Sequence, residues 1–398
     1  MRRLALLALL AAGCHQGPEF NPQEVQTLEI TLASDVNLGT EAMPNADRTL
    51  RFDMVARDRT GGVASGFNGK IQSYVFFAGT LSPDRAAGAS SLQEIQVTGG
   101  LAQGLTLNLP TAFGPSSLWL EDAGEPDRAP TYAAGSTPTI WYREPYLSDV
   151  QRPPVPARAS ASLSNYHSIL EGKQVRVNQS QHGVDGRLVV TSVDAQAYSV
   201  SDAKCGPGGT PPCTSVALGH LYVFTFSKPP VEVGSLLKEV RGGVTEFVGF
   251  TELSFPRQDL LKNGETPIID ARLVPTPVLL TPATVADNAV MEDNEAALVE
   301  LRGVIVCKPA SPDDIDRFER FRQFPIDLGT GSGCGGAGAP SLAMPSFTFD
   351  PYQNDGKRID SVLGMVRNVA GDSSGGRSFS FWTINVRAPA DVKCSTCI

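Results

Sequence analysis

Residues 233–253 read Val-Gly-Ser-Leu-Leu-Lys-Glu-Val-Arg-Gly-Gly-Val-Thr-Glu-Phe-Val-Gly-Phe-Thr-Glu-Leu. The apolar runs are short, rich in Val, Thr and Phe, and cut by Gly234, Gly242, Gly243 and Gly249, so the pattern is that of strands and turns and not of a helix. Working outward, the same texture holds in Leu170-Glu171-Gly172-Lys173-Gln174-Val175-Arg176-Val177, in Tyr198-Ser199-Val200-Ser201-Asp202 and in His220 to Phe226. Gly172 and Gly243 suit sharp bends, and the alternating pairs Val175/Val177 and Tyr222/Phe224/Phe226 are expected to fill a small closed core. The fold class expected from this texture is all-β.

The order of these segments resembles the OB-fold modules that accompany extracellular bacterial nucleases and phosphoesterases. Those modules have an opening Glu-Gly-x-x-Val strand, an aromatic-x-Val-x-Asp strand and a closing Gly-x-Val-x-Glu-Phe-x-Gly-x-Thr-Glu-Leu. The resemblance implies an OB-like β-barrel over 162–256, with a binding face that serves oligonucleotides or oligosaccharides in different families. A weaker copy follows a linker at 257–272 and occupies 273–392. Val299 to Val306 parallels the opening strand, Phe324 to Asp327 the second, Ser346 to Phe349 the third, and Gly356 to Val366 the fourth, at offsets of about 120 to 130 residues. Phe379 to Val386 closes the second barrel.

Upstream, 24–147 reads as a separate unit. Leu50, Phe52 and Met54 alternate with polar residues and share one buried face. Arg57-Asp58-Arg59-Thr60-Gly61-Gly62 then gives a charged turn before the strand beginning near Gly69. This resembles bacterial immunoglobulin-like modules and implies an immunoglobulin-like β-sandwich serving as spacer or adhesion module. Residues 148–161, with Pro153, Pro154 and Pro156, read as a stiff linker to the barrels.

The chain opens Met-Arg-Arg-Leu-Ala-Leu-Leu-Ala-Leu-Leu-Ala-Ala-Gly-Cys. Two arginines, a short apolar run and small residues before Cys14 resemble a bacterial lipoprotein signal peptide. The resemblance implies removal of 1–13, a diacylglycerol on the Cys14 thiol, N-acylation by a fatty acid such as palmitate, and 14–23 as a tether. The apolar run is far shorter than the ~20 residues of a membrane-spanning helix, so the lipid and not the peptide would be the membrane anchor. Inner-membrane retention in such proteins often uses Asp after the cysteine. His15 stands there instead, so the expected location is the outer membrane of a bacterial cell envelope.

Assigning Cys14 to lipid also settles the odd cysteine count, since seven cysteines then leave six. The local pairing is Cys205 with Cys213, Cys307 with Cys334, and Cys394 with Cys397 in the C-terminal Cys-x-x-Cys tail at 393–398, although six cysteines allow about 15 connectivities. The Cys-x-x-Cys pair also fits a redox pair or half of a zinc site, but no second pair or thioredoxin-like context accompanies it.

Chemistry is sparse in the sequence. The histidines are His15, His167, His182 and His220, with no tight metal spacing and no Gly-x-Ser-x-Gly elbow. Glu121-Asp122, Glu292-Asp293 and Asp313-Asp314-Asp316 read as solvated loop charges, with calcium ligation as the alternative. Gly329, Gly331 and Gly333 precede no clear helix start for a phosphate cradle. Lys173, Arg176 and Tyr198 are candidates for an OB binding face, against readings as surface charge and core. A net charge of −9 removes the long-range steering expected of a nucleic-acid binder. The expectation is therefore no catalytic, cofactor or metal residues: a non-catalytic envelope lipoprotein that acts as a structural or protein-interaction module, with the membrane and an envelope protein as partners. The alternative is a glycan- or nucleic-acid-binding surface protein. A third reading, an unrecognised hydrolase, requires converged carboxylates or a metal pocket.

Overall fold

The computed structural model describes residues 24–34, 48–77, 93–153, 166–329, 333–336, 339–372 and 378–397. The signal-peptide stretch, Cys14, the tether and residues 154–161 of the proline-rich segment lie outside the described residues. The chain is all-β and forms two compact units, Met1–Tyr142 and Arg143–Ile398.

In the first unit, β1 (Val25–Leu32), β2 (Thr49–Asp58), β3 (Gly69–Phe77), β4 (Ile95–Val97), β5 (Leu101–Asn108), β6 (Pro115–Glu121), β7 (Ala134–Ser136) and β8 (Ile140–Trp141) share one hydrogen-bonded path, β4-β3-β6-β7-β1-β2-β5, with β8 on β6. Alternating residues of β2, β3 and β6 are buried in a common core, so the sheet is folded over on itself in the manner of a sandwich. Leu50, Phe52 and Met54 face that core as their spacing requires. The short β7 joins the halves by pairing antiparallel with β6 and parallel with β1. Gly135 makes this approach feasible, because a Cβ there would run into the Leu28 carbonyl oxygen. The charged turn is held by Asp58, whose Oδ1 accepts from the Thr60 N–H at 2.8 Å and the Gly62 N–H at 2.9 Å.

The second unit contains two barrels. In the first barrel, β9 (Gln174–Asn178), β10 (Gly186–Val193), β11 (Ala197–Gly206), β12 (Thr210–Phe224), β13 (Leu237–Glu246) and β14 (Thr251–Leu260) run in the order β10-β11-β12-β14-β13-β9. β9 and β10 are two parts of one opening strand, separated by a 3-10 turn at Gln179–His182. The hairpin β15 (Lys262–Asn263) and β16 (Thr266–Pro267) follows within 257–272. Before β9, the short helix α1 (Leu147–Val150) buries Leu147 and Val150, so the chain is already folded where the proline-rich segment begins.

The second barrel is led in by β17 (Val278–Leu279) and the short helices α2 (Pro282–Val285) and α3 (Asn288–Asp293). Its strands are β18 (Leu298–Val306), β19 (Gln323–Asp327), β20 (Ser341–Ala343), β21 (Arg358–Asp372) and β22 (Ser378–Val386), with β23 (Val392–Lys393) on the outer side of β21. Pairing of β18 with both β19 and β21 closes a five-stranded ring. Helix α4 (Pro312–Phe321) sits between β18 and β19. Ser311 and Asp314 cap it reciprocally, Pro312 occupies its first turn, and Arg322 ends it in a left-handed conformation. In both barrels the third strand runs parallel to the fifth while the remaining ring pairs are antiparallel, so the two OB-like barrels share one strand order.

Two sequence expectations are corrected. The third strand of the second barrel is Ser341–Ala343 and not Ser346 to Phe349. Pro345 has no N–H to give to a ladder, and Phe347 and Phe349 pack on the core from irregular chain instead. In β12 the inward residues are Leu221 and Val223, with Tyr222 and Phe224 turned outward, because a shift of one residue exchanges the two faces of a strand.

Three disulfides are present. Cys205–Cys213 spans the β11–β12 hairpin, Cys307–Cys334 ties the end of β18 to the segment before β20, and Cys394–Cys397 closes the tail.

Candidate functional site

The outer face of the first barrel brings together side chains that are distant in sequence. Arg176 on β9, Arg241 on β13 and Arg257 on β14 are direct cross-strand partners, so they share one face in a row across three strands. Glu144 takes Arg176 at 2.7 Å, and Glu239 lies 3.7 Å from Arg241. Arg257 makes no ion pair among the described residues.

Beside this row stands a stack of phenylalanines. Phe224 and Phe226 have ring centroids 4.5 Å apart, and Phe226 and Phe255 are 4.9 Å apart. Phe255 is 82% exposed and Phe226 49%. Both have left-handed backbones, φ +49° at Phe255 and +61° at Phe226. That conformation costs a non-glycine residue roughly 1–2 kcal/mol. At Phe255 it arises from an extra residue in β14, since Arg241 and Gly243 face Arg257 and Ser254. The bulge turns the ring outward. Thr225 secures the other side, its hydroxyl donating to the Gln196 carbonyl at 2.8 Å.

The sequence candidates divide unevenly around this face. Arg176 belongs to it. Lys173 is buried, its Nζ donating to the Glu171 carbonyl at 3.3 Å. Tyr198 is a core residue, and burial pushes its hydroxyl far above the ordinary tyrosine value. The register that aligns three arginines and the bulge that exposes Phe255 depend on strand pairing, so only alternation within single strands was available to the sequence.

The histidines are structural in setting. His167 lies 3.2 Å from Glu171 at the surface. His220 is fully buried with Nδ1 2.8 Å from the Ser201 hydroxyl, and burial lowers its pKa to about 4. His182 places Nε2 2.7 Å from Asp202 and Nδ1 3.1 Å from the Asn178 carbonyl. Both nitrogens thus face acceptors. Burial opposes the charge on His182, yet the Asp202 carboxylate outweighs it and raises the pKa. Asp202 also accepts the Leu147 N–H at 3.3 Å, which fastens α1 to the barrel.

Of the acidic groups, Asp122 is buried and takes Arg128 at 2.6 and 2.8 Å. Burial would raise its carboxyl, but Arg128 and Thr131 hold it well below the usual range. Asp314 caps α4, and Asp316 pairs with Arg320 at 2.8 Å. Glu292 is buried where the two barrels meet, together with Glu295 and Glu246. No group of three His, Cys, Asp or Glu side chains has metal-binding geometry among the described residues, and no described helix is long and apolar enough to cross a membrane. Comparison with protein families, curated proteins and solved structures finds no match to this chain.

Proposed function

We propose that this chain is a non-catalytic binding protein of the bacterial cell envelope, held there by lipid on Cys14, whose first OB-like barrel takes a protein partner on its Phe–Arg face. The observation that carries this reading is the stack of Phe224, Phe226 and Phe255, with its two most exposed rings, Phe226 and Phe255, held out by left-handed backbone. Unfavourable backbone conformations persist where the surrounding fold enforces them, and they concentrate at functional sites. Phe and Arg are enriched in protein interfaces, whose energy is concentrated in a few such anchors.

Charge favours a protein over a polyanion. Two of the three arginines already face glutamates, and the chain as a whole carries −9, so few phosphate or uronate contacts would release counterions. The face suits an apolar surface with a few carboxylates opposite Arg241 and Arg257.

The test is a photoreactive amino acid in place of Phe255, with the same group at Val184, which is 75% exposed elsewhere on the barrel, as control. In native envelopes, one saturable protein adduct from position 255 and none from 184 is expected. Phe255→Asn, which tolerates the left-handed backbone, is expected to weaken binding of that protein at least tenfold, about 1.4 kcal/mol. Equal labelling from both positions overturns the reading. Tight, salt-sensitive binding of oligothymidylate or heparin that depends on Phe255 transfers the face to the nucleic-acid or glycan alternative.

A further inference from the structure

The joint between the two barrels buries carboxyl groups from both sides. Glu246 ends β13 of the first barrel, and Glu295 lies between α3 and β18 of the second. They meet at Thr251. Its N–H donates to Glu295 Oε2 at 3.2 Å, and its hydroxyl donates to Glu246 Oε1 at 2.8 Å. The Ser168 N–H also donates to Glu246 Oε1, at 2.7 Å. Glu295 Oε1 and Glu246 Oε2 are buried with no hydrogen-bond partner among the described residues. Around the pair, Phe250 packs with Ala296 and Met365, and the Arg367 guanidinium lies 5.2 Å from the Phe250 ring centroid.

The charged surroundings come from several elements. Glu292 of α3 and Glu246 repel a charge on Glu295, whereas Arg367 of β21 attracts it. His167 favours the charge on Glu246 and Glu171 opposes it. Glu252 of β14 also draws on Arg367. One guanidinium therefore faces several carboxyls in a buried joint, and ionising all of them there is costly.

We propose that this joint is a proton-operated latch: it is closed while Glu246 and Glu295 hold their protons, and it loosens when the cluster ionises. Burial raises Glu246 to about 7 and Glu295 well above the ordinary glutamate value, so the change falls at and above neutral pH. The sign follows from proton linkage. An acid whose folded pKa is raised binds its proton more tightly in the closed state, so closure is favoured at low pH and lost as pH rises. The inference rests on the carboxyl pair alone and stands whether or not the Phe–Arg face binds a partner.

The test is amide hydrogen exchange on the full chain between pH 5.5 and 9, corrected for the intrinsic rate. Protection of Thr251 is expected to fall up to tenfold per pH unit above about 7, while Leu342 inside the second barrel keeps its protection. Glu295→Gln and Glu246→Gln are each expected to flatten the Thr251 profile. If Glu295→Gln fails to fold, Glu246→Gln carries the comparison. Constant Thr251 protection in the wild-type chain, or an unchanged slope in a folded Gln variant, overturns the latch.

Discussion

The two barrels share a strand order but differ in how the opening strand turns and in which titratable groups they bury. In the second barrel β18 bends at one residue, Gly303, with φ +68°, and pairs with β21 along most of its length, with β17 at Val299 and Glu300 and with β19 at Ile305 and Val306. In the first barrel the same bend takes a 3-10 turn between β9 and β10, and side chains bridge the break. The buried polar groups differ in parallel. Among the described residues β18 to β23 bury no titratable side chain, and their central polar contact is Gln323 donating to the Thr383 hydroxyl at 2.8 Å. The first barrel buries His220 on the face of β12 opposite to Leu221 and Val223, and seals its break with Asp202 and His182. A barrel closed by ladder hydrogen bonds needs no charge for closure, whereas one closed by an ion pair acquires a dependence on pH.

The largest way to break this contrast is His182→Ala. It removes the partner of a buried carboxylate and leaves Asp202 fastened only to the Leu147 N–H, a change that costs about 3–5 kcal/mol. Chemical denaturation at pH 6 measures it. The wild-type contribution of His182 is fully present below its unfolded pKa near 6.5 and is lost as pH rises through the raised folded value. The variant is therefore expected to differ most at pH 6 and less at pH 9. An equal loss at both pH values would assign the effect to packing.

His220 sharpens the contrast from the opposite side. Its folded pKa is lowered from 6.5 to about 4, so the unfolded chain binds the proton first. Stability is then lost as pH falls from 6.5 toward 4, by about 3 kcal/mol for a fully buried imidazole. His220→Phe keeps a flat ring and is expected to remove that acid slope. Exchange of the Leu221 amide, compared with Ile384 in the second barrel, reads the difference locally. If Leu221 and Ile384 lose protection together, the two barrels unfold as one and the contrast is only structural.

How much of this was legible beforehand follows from what each feature depends on. The all-β class and the strands near Leu50, Val175, Val299 and Ile359 could be read because alternation and glycine punctuation are local. The third strand of the second barrel was misplaced because Ser346 to Phe349 has the right residues, while Pro345 and the parallel partner Thr383 to Asn385 fix it at Ser341 to Ala343. The parity of Tyr222 and Phe224 was unreadable, since an aromatic pair two residues apart looks the same on either face. The arginine row and the Glu246–Glu295 pair need the strand register and the meeting of segments far apart in sequence. A single arginine of that row, Arg176, was all that composition along one strand could offer.

The smallest test concerns the disulfides, where the barrels differ by loop length. Cys307 and Cys334 are 27 residues apart and Cys205 and Cys213 are 8 apart. Loop-closure entropy in the unfolded chain gives about 3.5 kcal/mol for the longer link and about 2.5 for the shorter. Replacing each pair by serine is therefore expected to cost the second barrel about 1 kcal/mol more than the first, measured by denaturation under identical oxidising conditions. The local setting works against that order. Cys205 and Cys213 pack with Val189, Ala203 and Leu236, so paired serines would leave hydroxyls in an apolar cluster. Paired alanines remove that complication and isolate the chain-entropy difference. If the alanine pairs reverse the order, the β11–β12 hairpin needs its link to hold register in the folded state, and the first barrel then depends on a covalent clamp as well as an ionic one.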